Sequence, residues 1–595
     1  MAKGRKQSLL NGALILSFAI IAVKVFSVLF KLYITNKIGY DGRGYYSSAY
    51  NIYVPIYSIA LAGLPTAVSK MVASMSAQGR FKDVRKLFQV SLLLFVLVGV
   101  IGTALILIFA YPYAKTTEAL NALPSIIAVA PSVFFCCVMS GYRGYYQGLR
   151  DMVPSAASQI FEAAGKLIFG WIFMNAVVGS GAFFADKIPV LRDIVTDTQL
   201  SYAAAAAIAG VTVGSLIGLV YLMIRHRAAS DGITPEMLLS SPEAESAKVL
   251  AKQLLAIAIP VAISSLVFNL TTLIDNWTVQ NRLAAVIENH YDVIARMYPD
   301  IVRTQGFAPG MEDLTEKFKS YLFGAYDTVL DIKNIVPTFT ITLGLSAIPV
   351  LSEAWTKRDL PTVRRSAESV VRITMLMAMP AGAGLVALSG GILNLLYGNS
   401  EVNAPALPYI SPILMAYGVS VIFLALAQPL VSVLQAIDRM DVPIKAMAIG
   451  AVVKIVANFI FVSIPSVNIQ GAVIGSILCN IVMVVYGMIV IAGEAELKYN
   501  WSADVIRPGA CALLSGAAAR LTASLLKKIL PAAPFAAHPT LLSGENISTV
   551  VAVFAAVLVY AVALFALRAV TKEDISMLPK GRKIAKVLEK YKLIG

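Results

Sequence analysis

The chain has 595 residues, 58% of them hydrophobic and only 14% charged, with a mean hydropathy of +0.75. Values this apolar exclude an ordinary soluble globular protein and point to an integral membrane protein. Lys and Arg number 49 against 34 Asp and Glu, a net +15, but the basic residues cluster in short connectors between apolar runs, which marks membrane-side loops and argues against a nucleic-acid partner.

In chain order, Lys3, Arg5 and Lys6 precede a first apolar run, as in a signal peptide. Lys24 interrupts that run and no small-residue cleavage site follows, so the segment is read as a membrane helix. A span needs about 20 apolar residues. By that measure about fourteen candidates follow: 9–36, 46–75, 87–111, 123–147, 154–178, 202–224, 249–279, 321–355, 363–397, 407–437, 442–464, 469–492, 503–529 and 547–570. Arg80, Lys82, Arg85 and Lys86, then Arg225, Arg227 and Lys248, then Lys357, Arg358, Arg364 and Arg365, and Arg439 fall on alternate connectors. The positive-inside rule makes these connectors cytoplasmic, together with the N-terminus and the tail carrying Lys580, Arg582 and Lys583. The expected location is a bacterial cytoplasmic membrane. The connector 280–319 is then external, either a small cap or a disordered loop.

Four landmarks recur in the same order in both halves. Gly63-Leu64-Pro65, Ser69 and Val84-Arg85-Lys86 are echoed by Gly344-Leu345, Pro349, Ser352 and Val363-Arg364-Arg365. Gln147-Gly148-Leu149-Arg150-Asp151-Met152-Val153-Pro154 returns as Gln435-Ala436-Ile437-Asp438-Arg439-Met440-Asp441-Val442-Pro443, with a one-residue slip. Lys166 matches Lys454, and Gly210-x-x-x-Gly214-Ser215 matches Gly471-x-x-x-Gly475-Ser476. The expected fold is an all-α membrane protein: two parallel six-helix bundles, related by a pseudo-two-fold axis along the membrane normal, plus two appended C-terminal helices. The expected divisions are an N-terminal bundle 1–226, a cytoplasmic linker 227–248, a C-terminal bundle 249–494 with the external loop 280–319, two further helices in 495–570, and a basic tail 571–595.

No GxxxxGK[ST] loop, nucleophile elbow or HExxH motif occurs, so neither an ATP-driven pump nor a hydrolase is indicated. Cys136, Cys137, Cys479 and Cys511 have no CxxC spacing, and His226, His290 and His538 fall in predicted loops, far apart. The chain is read as a secondary transporter and not an enzyme, without cofactor or metal, driven by the membrane potential or by an ion of unspecified identity.

A Lys or Asp at the centre of a membrane helix costs about 2.5–3.5 kcal/mol, so each one invites a functional reading. Lys24 and Lys31, seven apart, share nearly one face of the first helix, and with Arg43 beyond them they would line one side of a cavity with positive charge. Alternatively Lys31 snorkels to the interface and Arg43 is a loop charge. Lys333, beside Asp331, starts the corresponding helix of the second half, and Asn51 completes the substrate-binding candidates. Ammonium groups in a cavity suit a diphosphate, because they replace the water the anion loses. Asp275, with Lys454 and Asn458 one turn apart, forms either a buried ion pair or a coupling-ion site. Glu162 and Lys166, also four apart, either neutralise one another or serve coupling. Tyr142, Tyr145 and Tyr146 read as an interfacial belt, and the Pro380-Ala381-Gly382-Ala383-Gly384 run as a packing site or bend.

The segment Ser140-Gly141-Tyr142-Arg143-Gly144-Tyr145-Tyr146-Gln147-Gly148, followed by Met152 and Pro154, resembles the fourth-to-fifth helix region of the stage V sporulation protein B and MurJ branch of the MATE-like (MOP) superfamily. Gly63-Leu64-Pro65 and Ile348-Pro349-x-x-Ser352 are similar too, and the resemblance extends over essentially the whole chain. It implies a flippase for a polyprenyl-diphosphate-linked saccharide, foremost the peptidoglycan precursor lipid II, with a central cationic cavity. Lys24, Lys31 and Lys333 are the nearest matches to its cations. They are lysines where arginines are usual, and the second-helix arginine has no counterpart. Asp275 and Asn458 resemble part of a sodium site, where Lys454 would place a fixed cation that argues against sodium.

The implied mechanism is alternating access, with the prenyl tail left in lipid. Membrane lipids and cell-wall or sporulation synthesis proteins are the further partners. Two rival readings are a MATE-type multidrug or cation antiporter, which would hold its cargo on carboxylates, and a non-transporting scaffold for wall or spore-coat synthesis.

Overall fold

A computed structural model of the protein describes residues 9–58, 64–180, 195, 197–229, 231–311, 313–495, 502–530 and 543–570. Gly63, His538, the N-terminal Lys3, Arg5 and Lys6 and the basic tail lie outside the described residues. Among those described there is no strand. The chain is all-helical, as its composition implies. It divides into two compact units, Met1–Glu288 with Pro309–Gly324, and Asn289–Ala308 with Ala325–Gly595.

The first unit contains α1 (Leu9–Ser58), α2 (Leu64–Ala77), α3 (Phe81–Thr116), α4 (Leu123–Gly148), α5 (Val153–Ser180), α6 (Thr198–Ala228), the single turn α7 (Pro235–Leu239) and α8 (Ala247–Asn289) up to Glu288. The second holds α9 (Tyr291–Met297) and α10 (Pro299–Gln305), then α12 (Ile335–Thr356), α13 (Leu360–Tyr397), α14 (Leu407–Ala436), α15 (Asp441–Phe461), α16 (Gly471–Ala495), α17 (Arg507–Ile529) and α18 (Gly544–Ala566). Between α10 and α12, α11 (Leu314–Lys333) begins in the first unit and ends in the second.

Eleven helices among the described residues are long and apolar enough to cross a membrane, against about fourteen expected. The three others fall at 46–75, which is shared between the end of α1 and α2; at 249–279, inside α8; and at 321–355, which Asn334 divides into α11 and α12. Large apolar side chains cover the outside of these helices, among them Leu97, Ile101 and Ile108 on α3, Val456 and Phe459 on α15, and Phe554 and Leu558 on α18. Such faces belong in hydrocarbon.

The boundary expected at 227–248 falls inside the first unit. Leu250, Leu254 and Ala258 of α8 join the buried core of α1 to α6. Farther along, Asn276 donates to the Tyr113 hydroxyl at 2.6 Å, and Ser48 donates to Gln280 Oε1 at 3.2 Å. The connector 280–319 is largely helical. Its α9 and α10 pack on the second unit through Tyr298, whose hydroxyl donates to Asn468 Oδ1 at 2.6 Å. Its last part, the start of α11, packs on the first unit. There Lys319 donates to the carbonyls of Thr117 and Glu118 at 2.6 and 2.5 Å, and Glu316 accepts from the Asn121 N–H at 2.7 Å. Burial raises the Glu316 carboxyl and lowers the Lys319 ammonium.

The internal repeat is visible in backbone geometry. After α4, Arg150 adopts φ 63°, and after α14 the matching Asp438 adopts φ 58°. Each turn closes with the same long bond, Asp151 N to Tyr146 O and Arg439 N to Leu434 O, both 2.9 Å. These are the left-handed terminations that satisfy the last carbonyls of a helix. Gly79, before α3, and Arg358, before α13, likewise share positive φ, 73° and 58°.

Inside α1, Gly39 sits at φ 66°, ψ −175°, a conformation essentially confined to glycine. The two legs fold toward each other there. Phe30 and Tyr46 would stand about 24 Å apart along a straight helix, yet their ring centroids are 6.4 Å apart. We expect Gly39→Ala to lower stability by about 1–3 kcal/mol. Gly179→Ala, where a methyl meets nothing within 4 Å, is expected to be neutral or slightly stabilising. Thermal unfolding of both variants in detergent checks this.

Candidate functional site

The second leg of α1 carries Tyr46, Tyr50, Tyr53 and Tyr57 at helical spacing. Their rings follow one another at centroid distances of 5.8, 5.8 and 5.0 Å. Because the bend at Gly39 returns this leg toward the first, Lys31 reaches Tyr50, its Nζ 5.3 Å from the ring centroid. Lys166 of α5 approaches the same ring at 4.9 Å and Phe30 at 5.4 Å. The two ammonium groups therefore lie within about 10 Å of one another. A cation over an aromatic face gains about 0.5–2 kcal/mol, most when desolvated. Lys166 is buried and Lys31 half-buried.

Glu162 was expected to meet Lys166. The structure pairs it with Arg143 of α4, 2.8 Å from Oε2, while Arg143 Nε also donates to Ser158 at 2.9 Å. Ser215 of α6 donates to the other Glu162 oxygen at 3.4 Å. Spacing on one helix cannot disclose a partner on the next, and that is why the sequence reading missed Arg143. Its signal was present in the motif Ser140 to Gly148, where an arginine lies within an otherwise apolar span.

The remaining candidates are spread over both units. Lys24 is exposed on α1, Asn51 half-buried next to Tyr50, and Arg43 fully buried, its guanidinium 5.5 Å from the Tyr46 ring centre. Arg43 is thus an interior side chain of the first unit and not a loop charge. Lys333 ends α11 instead of starting a helix, and sits with its Nζ 4.0 Å over the Tyr417 ring in the second unit. Tyr417 in turn shares hydrogen bonds with Tyr326, at 2.7 Å, and Ser476, at 3.3 Å. A lysine at a helix C-terminus also meets the negative end of the helix dipole. Asp275 is buried in α8 of the first unit, whereas Lys454 and fully buried Asn458 are on α15 of the second. No group of three or more His, Cys, Asp or Glu suited to a metal occurs among the described residues.

The repeated small-residue motifs hold these lysines from behind. A β-carbon at Gly214 would lie 2.8 Å from Lys166 N and against the Glu162 carbonyl; one at Gly475 would lie 3.2 Å from the Lys454 carbonyl and against Asn458 Oδ1. Only glycine lets α6 approach α5, and α16 approach α15, this closely.

The expected aromatic belt is an interior cluster instead. Tyr145 and Tyr146 are buried around His226, in the last turn of α6, with Tyr146 OH and His226 Nδ1 3.2 Å apart. Tyr145 donates to Asp231 at 2.7 Å, Arg80 reaches Glu245 at 2.6 Å and Arg225 lies 3.8 Å from Asp151. The connectors after α2, α4 and α6 therefore meet at one end of the first unit.

A family model described as polysaccharide biosynthesis protein matches residues 9–355. The chain belongs to that family. A model described as lipid II flippase MurJ matches residues 336–533 of this polysaccharide biosynthesis family member. Stage V sporulation protein B of Bacillus subtilis (strain 168) is 25% identical over 78% of the chain and 80% of its own length. Lipid II flippase MurJ of the same organism is 23% identical over 83% and 84%. A solved inward closed structure of lipid II flippase MurJ superposes with TM-score 0.59 at 13% identity, covering 93% of this chain and 99% of that one, which shows a shared fold. The resemblance expected from the motifs, to stage V sporulation protein B and MurJ, is therefore met in the matching family model and relatives, and the chain is a multi-span membrane protein of the polysaccharide biosynthesis family.

Removing one member of a buried ion pair strands the other charge, at about 3 kcal/mol or more. Glu162→Leu is expected to lower the unfolding midpoint markedly, and the pair Arg143→Met with Glu162→Leu to recover most of the loss, as read by thermal unfolding in nanodiscs.

Proposed function

We propose that this protein is an alternating-access flippase that exports a polyprenyl-diphosphate-linked saccharide, lipid II foremost, across the bacterial cytoplasmic membrane. The observation that supports this reading most directly is the cationic first helix. Lys24 and Lys31 stand on an apolar membrane helix, with Lys31 held against Tyr50, and no carboxylate-rich motif accompanies them on that helix. A site of this sign suits an anionic head group and disfavours cationic drugs. Asn51 and Arg43 belong to the same helix as the lysine pair, and the second unit has a buried cation of its own in Lys333. Asp275 in the first unit, and Lys454 with Asn458 in the second, are each candidates for a coupling or structural role. The meeting of the Arg80, Asp151 and Arg225 connectors at one end of the first unit agrees with a cytoplasmic location for that end.

The membrane potential, inside negative, favours outward passage of an anionic head group and inward return of an empty cationic cavity, by about 2.3 kcal/mol per charge per 100 mV. No ATP site is needed for such a cycle. In proteoliposomes with an imposed potential, wild-type protein is expected to translocate fluorescent lipid II. Lys24→Ala and Lys31→Ala are each expected to slow this about tenfold or more, the equivalent of one charge-assisted contact. Dissipating the potential should slow the wild type as well. A folded wild type that moves no prenyl-linked saccharide would overturn the reading.

A further inference from the structure

We propose that His226 of α6 is a proton-operated pin: neutral, its imidazole seats among the rings of α3 and α4 and holds together the connectors that follow α2, α4 and α6, and protonated it leaves that seat and releases them. The inference is independent of what the protein carries, and it concerns the end of the first unit assigned above to the cytoplasm.

The seat is built by the Ser140 to Gly148 motif, to which the transport cycle proposed above assigns no role. A β-carbon at Gly141 would stand 2.9 Å from Leu92 of α3, one at Gly144 2.7 Å from the Pro65 carbonyl oxygen, and one at Gly148 2.5 Å from Val72 of α2. Glycines three and four apart thus bring one face of α4 hard against α2 and α3. The tyrosines interleaved with them reach the last turn of α6. There the His226 ring lies 5.5, 5.8 and 6.0 Å from those of Tyr142, Tyr145 and Tyr146, and 4.7 Å from Phe88 of α3. A neutral imidazole accepts at Nδ1 from the Tyr146 hydroxyl, 3.2 Å away, whereas an imidazolium has two donors and no acceptor.

The charges around the ring decide which form is seated. Arg85 comes from α3, Asp151 from the connector after α4, Arg225 and Arg227 flank His226 on α6, and Asp231 follows α6; with the three tyrosines, these are the groups that act on the cluster. Asp231, the carboxylate that attracts an imidazolium here, is already engaged. It accepts from the Tyr145 hydroxyl at 2.7 Å and from the Ile233 N–H at 3.0 Å, and lies 3.9 Å from Arg85. Asp151 lies 3.8 Å from Arg225. Three guanidinium groups against two carboxylates leave the surroundings net positive, so a proton on half-buried His226 adds a like charge where water is scarce. The negative end of the α6 dipole favours a cation in this turn, but Arg225 and Arg227 already occupy it. Histidine is the member of this set whose ordinary charge change falls near neutral pH. The released form binds the proton more readily than the seated one, so the clasp is at full strength above the ordinary histidine value, about 6.5, and weakens as the pH falls below it.

The test uses the full-length chain in nanodiscs, compared at about pH 8 and about pH 5.5. Hydrogen exchange is followed over residues 225–245 and corrected for the intrinsic pH dependence of amide exchange, with thermal unfolding in parallel. Wild type is expected to exchange there about tenfold faster at the acid pH, as linkage gives when the seated form binds the proton about tenfold more weakly than the released one. His226→Phe, which keeps a ring in the seat, and His226→Gln, which keeps an acceptor for Tyr146, take up no proton and are expected to stay protected at both pH values. His226→Lys is expected to exchange at the higher pH as the wild type does at the lower. A wild-type pH response that persists in folded His226→Phe and His226→Gln assigns it to another group and overturns the inference. Loss of protection in both variants at both pH values makes His226 a fixed structural contact and overturns it as well. Neither result touches the transport reading, which stands or falls on lipid II movement in proteoliposomes.

Discussion

Inside a bilayer no water is available to satisfy a charge, so every ionised side chain must be held by its own protein or by cargo. The first unit meets this constraint with two devices. Arg143 and Glu162 cancel one another across α4 and α5. Lys31 and Lys166 lean on aromatic faces, which attract a cation. The bend at Gly39 makes the second device available, because it returns the tyrosines of the second leg to the lysine of the first.

The two halves of the chain solve the same packing problem with the same residues. Gly214 admits α6 to α5 beside Lys166, and Gly475 admits α16 to α15 beside Lys454. The helix-ending turns at Arg150 and Asp438 share their left-handed backbone although arginine and aspartate have little else in common. At these positions the backbone conformation is the same while the side chains differ.

Much of this was legible in the sequence, for physical reasons that also explain what was not. Apolar runs of spanning length, the repeat and the lysine pair are one-dimensional signals, and the all-helical fold follows from them; the family resemblance is carried by the Ser140 to Gly148 motif. Boundaries were less legible. The repeat places Lys333 at the start of the helix corresponding to the first, but the chain is already helical from Leu314 and breaks at Asn334. Partners on other helices were least legible. Glu162 lies four residues from a lysine and nineteen from the arginine it binds, and only packing decides between them. The tyrosine ladder of α1 did have a sequence signal, in its spacing of four, three and four, which marks one helical face.

The chain passes between its two compact units at Glu288, at Ala308 and again at Gly324, the last time in the middle of α11. Because α11 is continuous from Leu314 to Lys333, its hydrogen-bonded backbone contains no loop in which a strain applied at the Lys319 and Glu316 anchor could be lost.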